Sequence, residues 1–375
     1  MKSIVARLMI SCFAVAVVAV LFAHGALACT SFQVKANDGT VVIGRSNEFG
    51  IDAKSQIVFE PAGKEFISKT PDGKAGKSWK SRYAFLGING LGLLECFGDG
   101  MNEAGLSVEG LYFDESKFET VGAKDSQLAL SSDDFISWVL GNFATVDELK
   151  KELPNVRVWG DIIAKLGGSL ALHFAVHDAS GKCLVVEFIN GEKRVYDNPI
   201  GVMTNMPEFP WQTTNLRNYL NLSPFSPKAK DFNGVSITPT GTGSGWLGVP
   251  GDWSPPSRFV RIAYLVNACS PAKDGKEALN LAKHILNTVD IALKSVEASI
   301  KDKSGGETHT MEYTQWSILL DLTNRVMYYY SYYDMNLKSL DLRKMAASKI
   351  QKVKLIPISG EFSTTDMTDE LIELK

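Results

Sequence analysis

Net charge, cysteine and long apolar runs are all scarce in this chain of 375 residues. Its 39 Lys and Arg stand against 42 Asp and Glu, a formal net charge of −3. Without a basic stripe, nucleic-acid binding lacks the phosphate attraction on which it rests, and no whole-molecule field draws in acidic substrates. Histidine numbers only 5. His173 and His177 share a strand face at spacing four, yet no cysteine or carboxylate cluster completes a ligand set, so no metal is expected. No Gly-rich phosphate loop follows a strand, and no other cofactor is expected either. After residue 28 no apolar run approaches the ~20 residues that a membrane-spanning helix needs.

The amino terminus differs from the rest. Lys2 and Arg7 precede an apolar run over 8–22, and Ala26-Leu27-Ala28 follows as a small-x-small cleavage site. The run is too short for a span, so residues 1–28 read as a secretory signal peptide. The remainder, 29–375, is expected in the periplasm or outside the cell, with no membrane attachment after cleavage.

Cleavage there makes Cys29 the first residue. A terminal cysteine carries a nucleophile and a base together, because an α-amine with an unperturbed pKa of ~7.7–8.0 accepts the thiol proton near neutral pH. Three other uses stay open at this point: an ordinary buried residue, a disulfide partner, or a lipidation site. Leu27-Ala28-Cys29 also ends like a lipoprotein signal, which would make the chain a lipidated surface binding protein. Cys96, within the apolar run 93–97, reads as a small buried hydrophobe, while Cys183 and Cys269 are open to pairing.

Alternation over 30–35, turn chemistry at Asn37-Asp38-Gly39 and an apolar run at 41–43 predict a hairpin that begins at residue 29. Further strands are predicted over 82–87, 92–97, 106–113, 170–177, 182–189, 310–321, 325–332 and 337–342. Helix signals fall over 131–140, at a capping box from Thr145 to Glu148, near 211–220, and over 257–268 and 277–292. Residues 61–80, rich in Lys, Gly and Ser, read as an exposed loop, and 222–256 holds six of the 14 prolines. Blocks of strands, then helices, then strands predict segregated α+β layers in one domain over 29–375 rather than βαβ units.

The order of short motifs is more specific than any one of them. Cys29-Thr30-Ser31-Phe32, Asp38-Gly39 and Gly44-Arg45-Ser46-Asn47-Glu48 closely resemble the start of the choloylglycine hydrolase family, amino-terminal-nucleophile hydrolases that include bile salt hydrolases and penicillin V acylases. The resemblance continues through Asp99-Gly100-Met101-Asn102-Glu103-Ala104-Gly105-Leu106, Gly201-Val202-Met203-Thr204-Asn205, Phe209-Pro210-Trp211, Gly248-Val249-Pro250-Gly251-Asp252 and Ser257-Arg258-Phe259, to Tyr328-Tyr329-Tyr330.

That resemblance implies a four-layer αββα sandwich of two antiparallel sheets. It also implies an amidohydrolase that cleaves linear C–N amide bonds through a thioester on Cys29. Arg45 matches the family's active-site arginine, a cation that favours thiolate. Asn205 matches the oxyanion-hole asparagine, and Arg258 a second active-site arginine. Two positions depart from the pattern of bile salt hydrolases. Glu48 stands where an aspartate holds the α-amine, and Tyr112 where an oxyanion asparagine is usual, leaving its backbone N–H as the donor. Tyrosine there looks more like some penicillin V acylases. The acyl pocket is expected near Phe49, Ile51, Phe85 and Leu86, and Asn47 replaces an apolar residue common beside the substrate. Implied substrates pair a bulky apolar acyl group with a small polar amine: penicillin V-like compounds, conjugated bile salts or N-acyl homoserine lactones. A homotetramer is implied by the retained stretch 222–242.

Overall fold

A computed structural model describes residues 28–162, 169–301, 307–348 and 353–372; the predicted signal peptide, up to residue 27, lies outside them. The predicted hairpin forms from Cys29–Lys35 and Val41–Phe49, in register from Cys29 opposite Asn47 to Lys35 opposite Val41. Local chemistry closes it: Asp38 Oδ1 accepts the Thr40 N–H at 2.9 Å, and Gly39 takes φ +86°, a left-handed conformation that glycine adopts without strain. Asp38 Oδ2 also accepts the N–H of Gly275 at 3.1 Å, which ties the turn to the Gly275–Asn287 helix.

Among the described residues this hairpin is the centre of a seven-stranded antiparallel sheet. Val202–Met203 flanks Cys29–Lys35 on one side; Glu307–Asp321, Val326–Ser331 and Lys338–Asp341 follow on the other, and Val296–Lys301 also pairs with Glu307–Asp321. A second antiparallel sheet of eight strands runs in the order Glu192–Asp197, Cys183–Ile189, Leu172–Asp178, Leu106–Tyr112, Phe97–Asn102, Phe85–Asn89, Gln56–Glu60 and Lys354–Pro357.

Alternation then decides what each face buries. Ile43, Trp316, Ile318 and Leu320 of the first sheet meet Ile57, Leu86, Ile88 and Met101 of the second to form the inter-sheet core. On the outer face of the first sheet, Phe32, Val34, Val42 and Leu319 pack with Phe259, Ile262, Ala278, Ala282 and Ile285 of the Pro255–Asn267 and Gly275–Asn287 helices. On the outer face of the second, Phe97, Val108, Phe174 and Val186 pack with Phe135, Trp138, Val139 and Leu149 of the Phe135–Asn142 and Val146–Glu152 helices. The result is the expected four-layer αββα sandwich.

The capping box forms largely as read: Thr145 Oγ1 accepts from the Glu148 N–H at 3.2 Å, and the Glu148 carboxylate reaches back to the N–H of Ala144 at 2.8 Å. Two local readings are corrected. Residues 61–80 contain a hairpin, Glu65–Lys69 with Ala75–Lys80, its Phe66 and Trp79 rings stacked at 5.1 Å. The strand predicted over 92–97 instead begins at Phe97, because Leu91 and Gly92 take φ of +58° and +68°, left-handed values that no strand accommodates.

A buried ion pair crosses the sandwich. Arg45, on the second hairpin strand, donates from Nε to Asp99 Oδ1 at 2.6 Å and from Nη2 to Asp99 Oδ2 at 3.2 Å, while Asp99 belongs to the opposite sheet. Both are sequestered from water, with side chains 1% and 2% exposed. Removing one partner strands a buried charge, at a cost of about 3–5 kcal/mol, whereas removing both does not. Arg45→Met should therefore lower the urea midpoint strongly, and Arg45→Met with Asp99→Leu should regain most of that loss. Equal midpoints for the single and double variants would contradict the pairing.

Candidate active site

Cys29 opens a central strand at the inter-sheet face, buried to 5% exposure. Its backbone nitrogen donates to Asn205 Oδ1 at 2.8 Å, and its sulfur accepts the backbone N–H of Tyr112. Burial pushes the thiol pKa up, and the Arg45 guanidinium pulls against it. For Arg45 itself, burial alone would weaken the cation; the Asp99 carboxylate and the thiol outweigh that and keep it firmly charged.

Asn205 is the node of the site. Its Oδ1 takes the Cys29 nitrogen and Arg258 Nη2, the latter at 2.7 Å, while its Nδ2 donates to the Tyr112 carbonyl at 2.8 Å. Arg258, fully buried at the start of the Pro255–Asn267 helix, also donates from Nη1 to the Cys29 carbonyl and to Thr30 Oγ1, each at 2.7 Å. Helix and strand are thus locked through one guanidinium. Glu48 lies on the helix-facing side of its strand, where Thr314 Oγ1 donates to its Oε1 at 2.9 Å. Burial raises its pKa to about 7, against the pull of Arg258.

The six residues singled out in the sequence therefore converge on one place. Cys29, Arg45, Glu48 and Tyr112 line a single cleft, and Asn205 and Arg258 bind the backbone of Cys29. The Tyr112 side chain turns aside to donate to Asp114 Oδ1 at 2.9 Å, so the backbone N–H is the group it offers the sulfur.

The cleft wall differs from expectation. Of the predicted acyl-pocket residues only Phe49 lines it: Phe85 and Leu86 are in the core and Ile51 is 45% exposed. The apolar wall comes instead from Ile88, Leu91, Phe97, Leu170, Leu172 and Trp316, with Asn47 also on the lining. Leu91 and Leu170 belong to loops whose path depends on distant packing, so no local pattern marked them. Cys96 is half-buried and faces this cleft rather than the core. Cys29, Cys96, Cys183 and Cys269 are all free.

Sequence reasoning also missed the supports. Asp99 stood inside a quoted motif without a role, although a buried arginine requires a nearby acid. His173 Nε2 donates to the Thr204 carbonyl at 2.9 Å, its Nδ1 lies 3.2 Å from Glu187 Oε1, and that oxygen accepts the Phe209 N–H at 2.9 Å. Together they hold the loop carrying Asn205. His177, pushed down to about 3 by burial, lies 3.4 Å from Ser31 Oγ and from Glu109 between the sheets. Among the described residues no cluster of three or more His, Cys, Asp or Glu could hold a metal ion.

Known proteins resemble this chain in sequence and fold. The family described as linear amide C–N hydrolases, choloylglycine hydrolase family, matches residues 29–353. A bile salt hydrolase/transferase of Clostridium perfringens is 31% identical over 323 residues, covering 84% of this chain and 93% of that protein. A conjugated bile acid hydrolase of Lactobacillus gasseri is 30% identical over 328 residues, covering 86% and 99%. The crystal structure of a variant of the conjugated bile acid hydrolase from Clostridium perfringens matches with TM-score 0.76 and 28% identity over 90% of this chain and 99% of that one. Penicillin V acylase from Agrobacterium tumefaciens shares the fold at TM-score 0.71 and 24% identity, over 88% and 92%. The chain belongs to the choloylglycine hydrolase family and is a hydrolase of linear amide C–N bonds.

Proposed function

We propose that the chain is exported, that residues 1–28 are removed, and that the freed α-amine of Cys29 is the base for its own thiol. What carries this reading is the placement of Cys29: its sulfur faces the cleft under the Tyr112 N–H while its nitrogen is held by Asn205 Oδ1 at 2.8 Å. One residue thus presents a nucleophile to substrate and a proton acceptor beside it.

The reaction is acyl transfer. The amine takes the thiol proton, and the sulfur adds to the amide carbonyl. The Tyr112 N–H and the second N–H of Asn205 Nδ2 receive the oxyanion, each worth about 10²–10³ in rate for a donor aimed at developing charge. The amine product leaves with the proton, and water, activated by the same α-amine, hydrolyses the thioester. Arg45 favours thiolate, and Glu48 and Arg258 fix the amine and the strand end. No step calls on a metal or cofactor.

The apolar wall of Ile88, Leu91, Phe97, Leu172 and Trp316 favours a bulky apolar acyl group. Penicillin V-like amides, conjugated bile salts and N-acyl homoserine lactones all fit that chemistry, and side-by-side hydrolysis assays rank them. The residues from 29 to the carboxy terminus act as one catalytic domain, and four copies assemble. The small hairpin Lys230–Phe232 with Val235–Ile237 supports assembly: it stands in solvent with Phe232 61% and Val235 59% exposed, apolar surface that a second copy would cover.

Intact mass of the exported protein should begin at an unmodified Cys29; an acylated residue there would indicate a lipidated binding protein instead. Cys29→Ser should keep the fold and lose roughly 10³-fold or more in kcat. Light scattering should give four chains per particle, falling for Phe232→Asp with Val235→Asp; an unchanged mass would remove the hairpin from the assembly.

A further inference from the structure

Glu312, absent from every role above, is fully buried in the Glu307–Asp321 strand at 0% exposure. Neither of its carboxyl oxygens has a hydrogen-bond partner of ordinary geometry, and neither does Glu48 Oε2, whose carboxyl has the Ser46 hydroxyl nearby. Ala28 lies between the two acids. Its carbonyl accepts the Glu48 N–H at 3.0 Å, and its own N–H faces the Glu312 carboxyl.

The charges around this compartment do not balance. Arg45 is already paired with Asp99 at 2.6 Å across the sandwich. That leaves Arg258 as the cation acting on both Glu48 and Glu312. Burial, then repulsion from Glu48, raises Glu312 to about 8, against the pull of Arg258. With both carboxyls ionised, the compartment is one positive charge short while the peptide bond between Ala28 and Cys29 is intact. Cutting that bond removes the wedge between the acids and creates a cation at the same place.

We propose that Glu312 is a positioning residue for the Cys29 α-amine, joining Glu48 and Asn205 as its third acceptor once residue 28 is gone. This rests on the reading of Cys29 given above. An ammonium has three N–H donors. One keeps the Asn205 Oδ1 contact, and the other two meet carboxylate oxygens that now lack partners. With two carboxylates beside it the amine holds a proton more firmly. The thiol S–H bond then breaks in favour of N–H, the electron pair stays on sulfur for attack, and the same proton later goes to the leaving amine.

The sign of the effect follows. The productive pair is singly protonated, so kcat/KM rises as the first proton leaves and falls as the second does. A negative charge nearby raises both apparent pKa values. Removing it lowers both, by about one pH unit for a charge at contact distance. The other groups facing the amine and Glu312 are Glu48 from its strand, Arg258 from its helix and the Tyr112 phenol, with Arg45 and Asp99 on the thiol side; all are left intact.

The test uses the full exported chain as wild type, Glu312→Gln, Glu312→Met and Glu312→Asp. Each is checked by intact mass for an amino-terminal Cys29, then profiled against pH on one amide that the wild type hydrolyses. The rate of Cys29 alkylation by iodoacetamide against pH gives a second readout independent of turnover. Glu312→Gln and Glu312→Met should move both limbs and the alkylation midpoint toward acid by about one pH unit, and Glu312→Asp should stay near wild type. A uniform fall in kcat with limbs and midpoint unmoved would overturn the proposal. A wild type without free Cys29 would instead overturn the enzyme mechanism itself, and the two failures are distinguishable by mass alone.

Discussion

Everything in this site is hung on a buried ion pair between the two sheets. Arg45 and Asp99 reach across the sandwich at 2.6 Å, from strands that also send the apolar Ile43 and Met101 into the inter-sheet core. Arg45 Nη2 also donates to the Gly110 carbonyl at 3.0 Å, and Nη1 to the Ser46 carbonyl, so its donors are spread over both layers. A hydrophobic contact at that level would let the sheets slide by a fraction of an ångström. A charge-assisted fork fixes both distance and angle. That matters because the sulfur of Cys29 belongs to one sheet and the Tyr112 N–H that meets it belongs to the other. The relative position of the reacting atom and its donor is therefore the relative position of the sheets.

The frame was legible from sequence where the cause was local. Asn37-Asp38-Gly39 closed its hairpin because the Asp38 carboxylate and a left-handed glycine act over a few residues, and the Thr145–Glu148 cap formed for the same reason. The six site residues came from motif order, and all six meet. What escaped were features set by register between distant strands. Glu312 sits in a strand where Thr308, Thr310, Glu312 and Thr314 alternate with His309, Met311 and Tyr313, a pattern that reads as an ordinary exposed edge. Its meaning comes from pairing: Thr314 lies opposite Glu48, and Glu312, two residues before Thr314, shares its face, which puts both acids on one side beside Ala28. The cleft wall was misassigned for a related reason. Phe85 and Leu86 look like Phe97 and Leu172 in composition, and only the folded arrangement, with its left-handed turn at Leu91, separates those that line the opening from those in the core.

Support for Asn205 shows how a layer of buried polar groups is tolerated. His173 and Glu187 both sit on the second sheet, and each bonds the backbone of the loop that leads from Thr204 to Phe209. A loop at this depth has backbone groups that no water reaches, and each left unpaired costs about 1–3 kcal/mol. The histidine and the acid satisfy them and set the position of the side chain between. Two histidines at spacing four, which suggest metal chemistry at first sight, are thus divided: His173 anchors a loop, and His177 is held neutral by burial between the sheets.

A terminal nucleophile has to solve two electrostatic problems of opposite sign, and the sandwich separates them by face. The thiolate needs positive charge; Arg45 supplies it on the inter-sheet side, on the lining of the cleft. The ammonium proposed at Cys29 needs negative charge; the helix-facing side holds Glu48 and Glu312. Successive strand residues point to opposite faces, so Arg45 and Glu48, three positions apart on one strand, necessarily look in opposite directions. Cys29 stands at the strand end, where its sulfur and its nitrogen can each belong to a different face. Moving either charge to the other face would set like against like, acid against thiolate or guanidinium against ammonium. The sandwich prevents this because a one-residue slip of the Val41–Phe49 strand would also turn Val42 and Ile43 away from the cores they fill.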